Sequence, residues 1–200
     1  MSSNTIVHRA VRPIVRAIAP SGVTPNQITT LRLATGIAAA VAFAGEGSWP
    51  AIGGAIFLLS FFLDRADGEL ARQTGQSSPG GHRYDLISDC TSNIIAFIGL
   101  GLGAGGQPGL LGPALGVVAG LGIGALFAQL HILRIGNLRG YELAPGIIID
   151  PDDLIALVPV LVWAGATAPM LIAAAVITPI AAIWLGITGT RHARAGQQQP

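Results

Sequence analysis

Residues 49–74 read WPAIGGAIFLLSFFLDRADGELARQT. An apolar run starts at Trp49 and ends in a charged cluster, Asp64-Arg65-Ala66-Asp67-Gly68-Glu69-Leu70-Ala71-Arg72. A helix that crosses the hydrocarbon of a bilayer needs about 20 residues. Acidic side chains in such a helix are costly and usually functional. The stretch therefore predicts a membrane helix that carries chemistry at one end. Composition agrees. The chain has 200 residues, 51% hydrophobic and 10% charged, against about 25% charged in a soluble domain. Mean hydropathy is +0.62. These values exclude a soluble globular domain and a disordered chain. A net charge of +1 leaves no basic surface to hold a polyanion, so no nucleic-acid partner is expected. The single cysteine, Cys90, excludes an intrachain disulfide and a cysteine-based zinc site.

Working outward, six spans can be drawn: 25–44, 49–74, 81–105, 110–133, 153–165 and 169–188. Thr24 can cap the first, with Pro25 at the first helical position. The fifth is short unless its polar start is buried in protein. This layout puts every arginine on one side of the bundle or at the helix ends facing it, and the chain has no lysine. The opposite connections hold a single charge, Glu46. The positive-inside tendency then predicts that the arginine side and both termini are cytoplasmic, and the expected location is the inner membrane. Residues 5–19 alternate Ile6, Val7, Val11, Ile14, Val15 and Ile18 with His8, Arg9, Arg12 and Arg16, the pattern of an amphipathic helix lying in the interface. Pro13 allows at most a kinked or two-part helix. The tail over 195–200 reads as disordered. The expected architecture is one all-α membrane domain over 1–200: an interfacial helix (5–19) and a six-helix catalytic bundle (25–188).

The acidic residues fall into two sets. On a helix, Asp64, Asp67, Gly68, Ala71 and Arg72 share one face, and so do Gly81, Asp85 and Asp89. The link between the helices is short, so they are expected to be antiparallel neighbours. Four carboxylates, Asp64, Asp67, Asp85 and Asp89, would then converge near the cytoplasmic membrane edge. Ionised together they would repel one another, and a divalent cation relieves this. An all-oxygen site suits Mg²⁺, Mn²⁺ or Ca²⁺ rather than zinc. Four carboxylates suffice for two ions sharing ligands, which can clamp a phosphate for in-line displacement. Gly68 and Ala71 leave room for a ligand, and Arg72 can neutralise phosphate oxygens.

The run Asp64-x2-Asp67-Gly68-x2-Ala71-Arg72-x8-Gly81-x3-Asp85-x3-Asp89 resembles, at every defined position and spacing, the signature of the CDP-alcohol phosphotransferases, integral membrane enzymes of phospholipid synthesis. The start of the first span, Pro25-Asn26-x-x-Thr29, is similar to theirs as well. The resemblance implies that a CDP-linked alcohol, most often CDP-diacylglycerol, donates its phosphoalcohol part to a second alcohol and releases CMP. It implies two divalent ions, Mg²⁺ or Mn²⁺, bridged by Asp64 and Asp85. Asp67 would complete the first site. Asp89 would bind the second ion and act as the catalytic base on the attacking hydroxyl. Gly68, Ala71, Arg72 and Gly81 would surround the CDP moiety, with Asn26, Thr29 and Ser78 along the nucleotide or its diphosphate.

Other features keep two readings each. Arg134 and Arg139 follow the fourth span and either bind a phosphate on the acceptor or mark topology. Glu142, Asp150, Asp152 and Asp153 form either an acidic rim for a cationic headgroup or a solvated loop and helix start. Gly112, Gly116, Gly120 and Gly124 line one face of the fourth span, where another backbone can approach closely. That face serves a neighbouring helix of the chain or a second copy, and with the family it points to a homodimer. A CDP-polyol or CDP-amino-alcohol donor is the nearest alternative chemistry. From another class, a divalent-cation transporter or channel would use the same carboxylates for permeation, but it gives no reason for Gly68, Ala71, Arg72 and Gly81. A non-catalytic membrane scaffold predicts no CDP binding.

Overall fold

The computed structural model describes residues 6–104, 110–132, 141–144, 147–149 and 151–196, with side chains for 7–104, 110–130 and 153–188. The chain folds as helices α1 (Ile6–Ile18), α2 (Pro25–Phe43), α3 (Trp49–Thr74), α4 (Pro79–Gly103), α5 (Leu111–Ile132), α6 (Leu157–Trp163) and α7 (Thr167–Gly196). Between α5 and α6 lies a small antiparallel hairpin, β1 (Tyr141–Ala144) and β2 (Ile147–Ile149), with Tyr141 opposite Ile149. A 3₁₀ segment, Pro151–Ala156, leads into α6.

The ends follow local chemistry. Thr24 and Gln27 form a capping box at α2, the Thr24 hydroxyl accepting from the Gln27 N–H and the Gln27 side chain accepting from the Thr24 N–H. Ser78 caps α4 by accepting from the Gly81 N–H at 3.0 Å. Gly75 closes α3 at φ +68°, a conformation glycine adopts without penalty. The helix α1 runs on through Pro13. Residues 195 and 196 belong to α7, and 197–200 lie outside the described residues.

Among the described residues four helical segments are long and apolar enough to cross a membrane: Trp49–Thr74, Pro79–Gly103, Leu111–Leu130 and Thr167–Thr188. Their outward faces are apolar. On α7, Ile172, Val176, Ile180, Ile183 and Trp184 are exposed. These features mark an integral membrane protein. Two expected spans fall short of that measure for different reasons. In α2 the first turns carry Asn26, Gln27 and Arg32, and Asn26 and Arg32 face the site. The fifth is a short apolar stretch, Asp153–Trp163.

The buried core joins Phe43, Phe57, Phe97, Leu100, Ala119, Ile123, Phe127, Val162 and Leu171. Small residues let backbones meet, the usual route to helix association without a hydrophobic drive. A Cβ on Gly116 would lie 2.5 Å from the Phe97 carbonyl oxygen, and one on Gly120 would lie 2.7 Å from that of Ile94. The glycine face of α5 is thus filled by α4 of the same chain. Gly122, on another face of α5, meets Thr178 and Pro179 of α7.

The neighbour relation expected for α3 and α4 is not observed. The two scarcely touch, and each packs along α2 instead. A short link constrains only the helix ends it joins. Beyond it, α2 wedges between them on a face of small residues: Gly36 against Ser92 of α4, Ala39 against Gly53 of α3, and Ala40 against Gly99 of α4. The N-terminal helix also differs from a purely lipid-facing element. Val11 and Val15 of α1 are buried with Ile28, Ala66 and Leu70, while Ile14 is exposed.

Candidate functional site

The site forms where α2 and α4 begin and α3 ends. Both N-termini carry partial positive charge and unpaired N–H groups, a setting that suits phosphate oxygens. They lie side by side. A Cβ on Gly81 would stand 3.1 Å from the Ser78 hydroxyl and 3.3 Å from the Asn26 side-chain oxygen. The expected ligand-contact residues Asn26, Ser78 and Gly81 are therefore one cluster.

Beside it, Asp64 and Asp67 of α3 and Asp85 of α4 each direct a carboxylate oxygen into one group, all within 4.8 Å of one another. Oxygen ligands stand about 2.0–2.6 Å from Mg²⁺ or Ca²⁺, so opposed ligands lie about 4–5 Å apart. Three carboxylate oxygens at this spacing fit one hard divalent ion. Thr29 supports the group: its hydroxyl donates to Asp67 Oδ2 at 2.7 Å, with the Pro25 carbonyl at 3.1 Å as a second acceptor. Both Thr29 and Asp67 are buried.

Asp89 joins the cluster through an arginine that the sequence reading counted only toward topology. Arg32 sits seven residues into α2, about 10 Å from its start at 1.5 Å per residue. It is 3% exposed. Its Nε lies 3.4 Å from Asp64 Oδ1, its Nη1 lies 3.7 Å from Asp85 Oδ1, and its Nη2 contacts Asp89 Oδ1. Asn93 also donates to Asp89 Oδ1, at 3.3 Å. A signal was present in the sequence: Thr29, Arg32 and Gly36 share one helical face, so an arginine there must point where Thr29 points.

A second arginine works from the other side. Arg65 contacts Asp64 Oδ2 at 3.3 Å and Asp153 at 2.9 Å, and its guanidinium lies 5.2 Å from the centre of the Phe61 ring. Asp153, read as a rim or helix start, thus ties the lead-in to α6 to the signature helix. A cavity lies against Asp64 and Asp89, lined by Ser60, Ser92 and Asn93 on one hand and Phe57, Phe61 and Phe127 on the other.

The remaining signature residues lie along α3. Among the described residues a Cβ on Gly68 would meet only the Arg72 guanidinium, at 3.6 Å, which leaves open space. Ala71 is half-buried. Arg72 pairs with Glu69 at 2.8 Å. Glu69 was given no role from sequence, yet it is buried and also receives Arg12 of α1 at 3.3 Å and Gln73 at 2.9 Å. It docks α1 against the signature helix. Arg83 is exposed. Arg134 and Arg139 lie outside the described residues, and so do Asp150 and the side chains of Glu142 and Asp152.

Comparison with known proteins agrees with this geometry. The chain is 35% identical over 99 residues to a bifunctional IPC transferase and DIPP synthase of Rubrobacter xylanophilus, covering 46% of this chain and 22% of that protein. It is 32% identical over 97 residues to an archaetidylinositol phosphate synthase of Pyrococcus horikoshii, covering 48% of this chain and 50% of that one. The matches thus span half or less of these curated relatives. In fold it is similar to crystal structures of phosphatidylinositol phosphate synthase from Mycobacterium tuberculosis. The form with CDP-DAG bound has a TM-score of 0.69 at 20% identity, over 90% of this chain and 94% of that one. The form with manganese and citrate has a TM-score of 0.63 at 18% identity, over 88% of each. A family model described as CDP-alcohol phosphatidyltransferase matches residues 22–136, which takes in α2, α3, α4 and α5 with Asp64, Asp67, Asp85 and Asp89. The chain belongs to the CDP-alcohol phosphatidyltransferase family.

Proposed function

We propose that the chain transfers a substituted phosphate from a CDP-alcohol, CDP-diacylglycerol first among them, to an alcohol acceptor, releasing CMP in phospholipid synthesis. One observation carries the reading: oxygens of Asp64, Asp67 and Asp85 converge beside the paired N-termini of α2 and α4. Bound divalent ions, two in the full reading and either Mg²⁺ or Mn²⁺, would withdraw charge from the diphosphate and stabilise departing CMP. The chain's own groups do the rest. Asn26, Ser78 and Gly81 with the N–H groups of α4 hold the diphosphate, and Gly68 and Ala71 leave space for the nucleotide. Arg72, half-exposed beside Gly68, can turn from Glu69 to a phosphate oxygen.

Asp89 is the base. As the acceptor oxygen bonds to the β-phosphorus and the bond to CMP breaks, the hydroxyl proton passes to its carboxylate. Arg134 and Arg139 would bind a phosphate on the acceptor. The M. tuberculosis and P. horikoshii proteins are named for inositol-phosphate products, so an inositol phosphate heads the acceptor panel. The proposed setting is the inner membrane, with six crossings, α1 in the interface, and the site and termini cytoplasmic. A homodimer would use a surface other than the glycine face of α5, which α4 fills.

The test is CMP release by purified protein in detergent with Mg²⁺ or Mn²⁺. CDP-diacylglycerol, CDP-choline, CDP-ethanolamine and CDP-inositol are each offered against a panel of alcohols, with Asp89→Asn as control. Acceptor-dependent release that vanishes in the variant is expected. No release and no metal-dependent CDP binding would overturn the reading and leave metal flux as the next assay.

A further inference from the structure

We propose that Glu69 is a positioning residue for the CDP donor: it holds Arg72 aimed at the open space beside Gly68, and Arg12 of α1 offsets its charge. The proposal rests on the CDP-dependent reading above and deepens it, because it makes α1 part of the donor site. Glu69 is 6% exposed, and a carboxylate so buried needs partners. Its two oxygens divide them. Oε2 accepts from Arg72 Nη2 at 2.8 Å and from Arg72 Nε at 3.2 Å. Oε1 accepts from Gln73 at 2.9 Å and faces Arg12 Nε at 3.3 Å.

The choice of nitrogens matters. Glu69 takes Nε and Nη2, and the remaining nitrogen of Arg72, Nη1, stands 3.6 Å from where a Cβ on Gly68 would lie. Arg72 therefore has a nitrogen for a phosphate oxygen with the pair still closed, and the turn away from Glu69 is not needed. Its side chain is 41% exposed. Left to itself such a side chain samples many rotamers, and fixing it only on binding costs affinity. Glu69 fixes it beforehand. A lone carboxylate there would also repel a diphosphate. Arg12 answers that, because two guanidiniums on one carboxylate leave the trio with a surplus of positive charge. Arg12 is in place because Val11 and Val15 seat α1 beside Leu70 of α3.

The experiment is CDP binding to the full chain in detergent with Mg²⁺, read by calorimetry as a double-mutant cycle. Glu69→Gln should weaken binding about tenfold, within the range of coupled neighbours. In an Arg72→Gln background the same change should matter less than about twofold, because Glu69 acts through Arg72. Arg12→Gln should weaken binding about two- to fivefold, as for a partly exposed charge pair, and Arg12→Lys, which keeps the charge, should bind like wild type. If Glu69→Gln does not fold, the Arg12 variants carry the test, and unchanged binding in Arg12→Gln overturns the proposal. Unchanged binding in Glu69→Gln, or an equal loss with and without Arg72, would make Glu69 a structural anchor of α1 and overturn it as well. So would tighter binding in Glu69→Gln, which would make Glu69 a competitor of the ligand for Arg72. In each of these cases CMP release by the same wild-type preparation would leave the enzyme reading standing. No Mg²⁺-dependent CDP binding and no CMP release by wild type would overturn both.

Discussion

Thr29 offers a sharp test, because its hydroxyl can be removed with almost no change of shape. Thr29→Val keeps the branched side chain and deletes the donor that reaches Asp67 Oδ2 at 2.7 Å. That length suits a hydroxyl donating to a carboxylate oxygen. A hydrogen bond to a charged group contributes about 1.5–3 kcal/mol. At about 1.4 kcal/mol per factor of ten, its loss frees Asp67 enough to weaken a bound ion by roughly 10- to 100-fold, the range known for groups that orient metal ligands. The assay is Mn²⁺ titration of wild type, Thr29→Val and Thr29→Ser, by binding and by CMP release. The valine variant should need about 10- to 100-fold more Mn²⁺ for half-maximal release, with the rate largely recovered at saturation, and serine should restore the wild-type curve. Were Mn²⁺ affinity unchanged in the valine variant while KM for the CDP donor rose, Thr29 would be a nucleotide contact and the positioning argument would fail.

Further predictions concern packing, protons and metal. Gly116→Ala puts a methyl 2.5 Å from the Phe97 carbonyl oxygen and should cost about 1–3 kcal/mol by forcing α4 and α5 apart. Gly80→Ala meets nothing within 4 Å among the described residues and should be neutral or gain up to about 1 kcal/mol. Thermal melting of the two variants in one detergent checks both. Burial, with Arg65 and Arg72 close by, holds the His8 imidazole below its ordinary 6.5. The unfolded chain then binds the proton more readily, so stability should fall as pH drops below about 6.5. His8→Gln should flatten that slope in melting curves taken between about pH 5 and 8. Mn²⁺ at about 100 times its dissociation constant should stabilise wild type by about 2.7 kcal/mol, and Asp67→Asn should abolish most of that gain.

The helices were legible where local chemistry speaks plainly. The Thr24 cap, Pro25 at the first position and the apolar run after Trp49 place α2 and α3 to within a residue or two. The acidic spacing likewise brings Asp64, Asp67 and Asp85 together. Arg32 is hard to see in the sequence because an arginine in an apolar span reads as topology, although its spacing from Thr29 aims it inward. The α3–α4 relation is not legible from the link, because a short link speaks only for adjacent ends, while the middle of each helix goes where small residues let it. Glu69 carries no signal in the sequence because its partner Arg12 is far away in sequence, and pairing across elements leaves no periodic trace. Nothing in the spacing of Gly116, Gly120 and Gly124 says which chain supplies the backbone opposite them; that depends on tertiary packing alone.

The wedge of α2 between α3 and α4 has a consequence for how relatives of this chain can diverge. One pair of carboxylates rides on α3 and the other on α4, and those helices barely meet. The gap between the pairs is therefore gauged by the thickness of α2 at Gly36, Ala39 and Ala40. A shim of one methyl group there would respace the charged cluster while every signature residue stayed in place. Transplanting α2 alone between family members is thus a way to retune ion preference or substrate fit with the signature untouched.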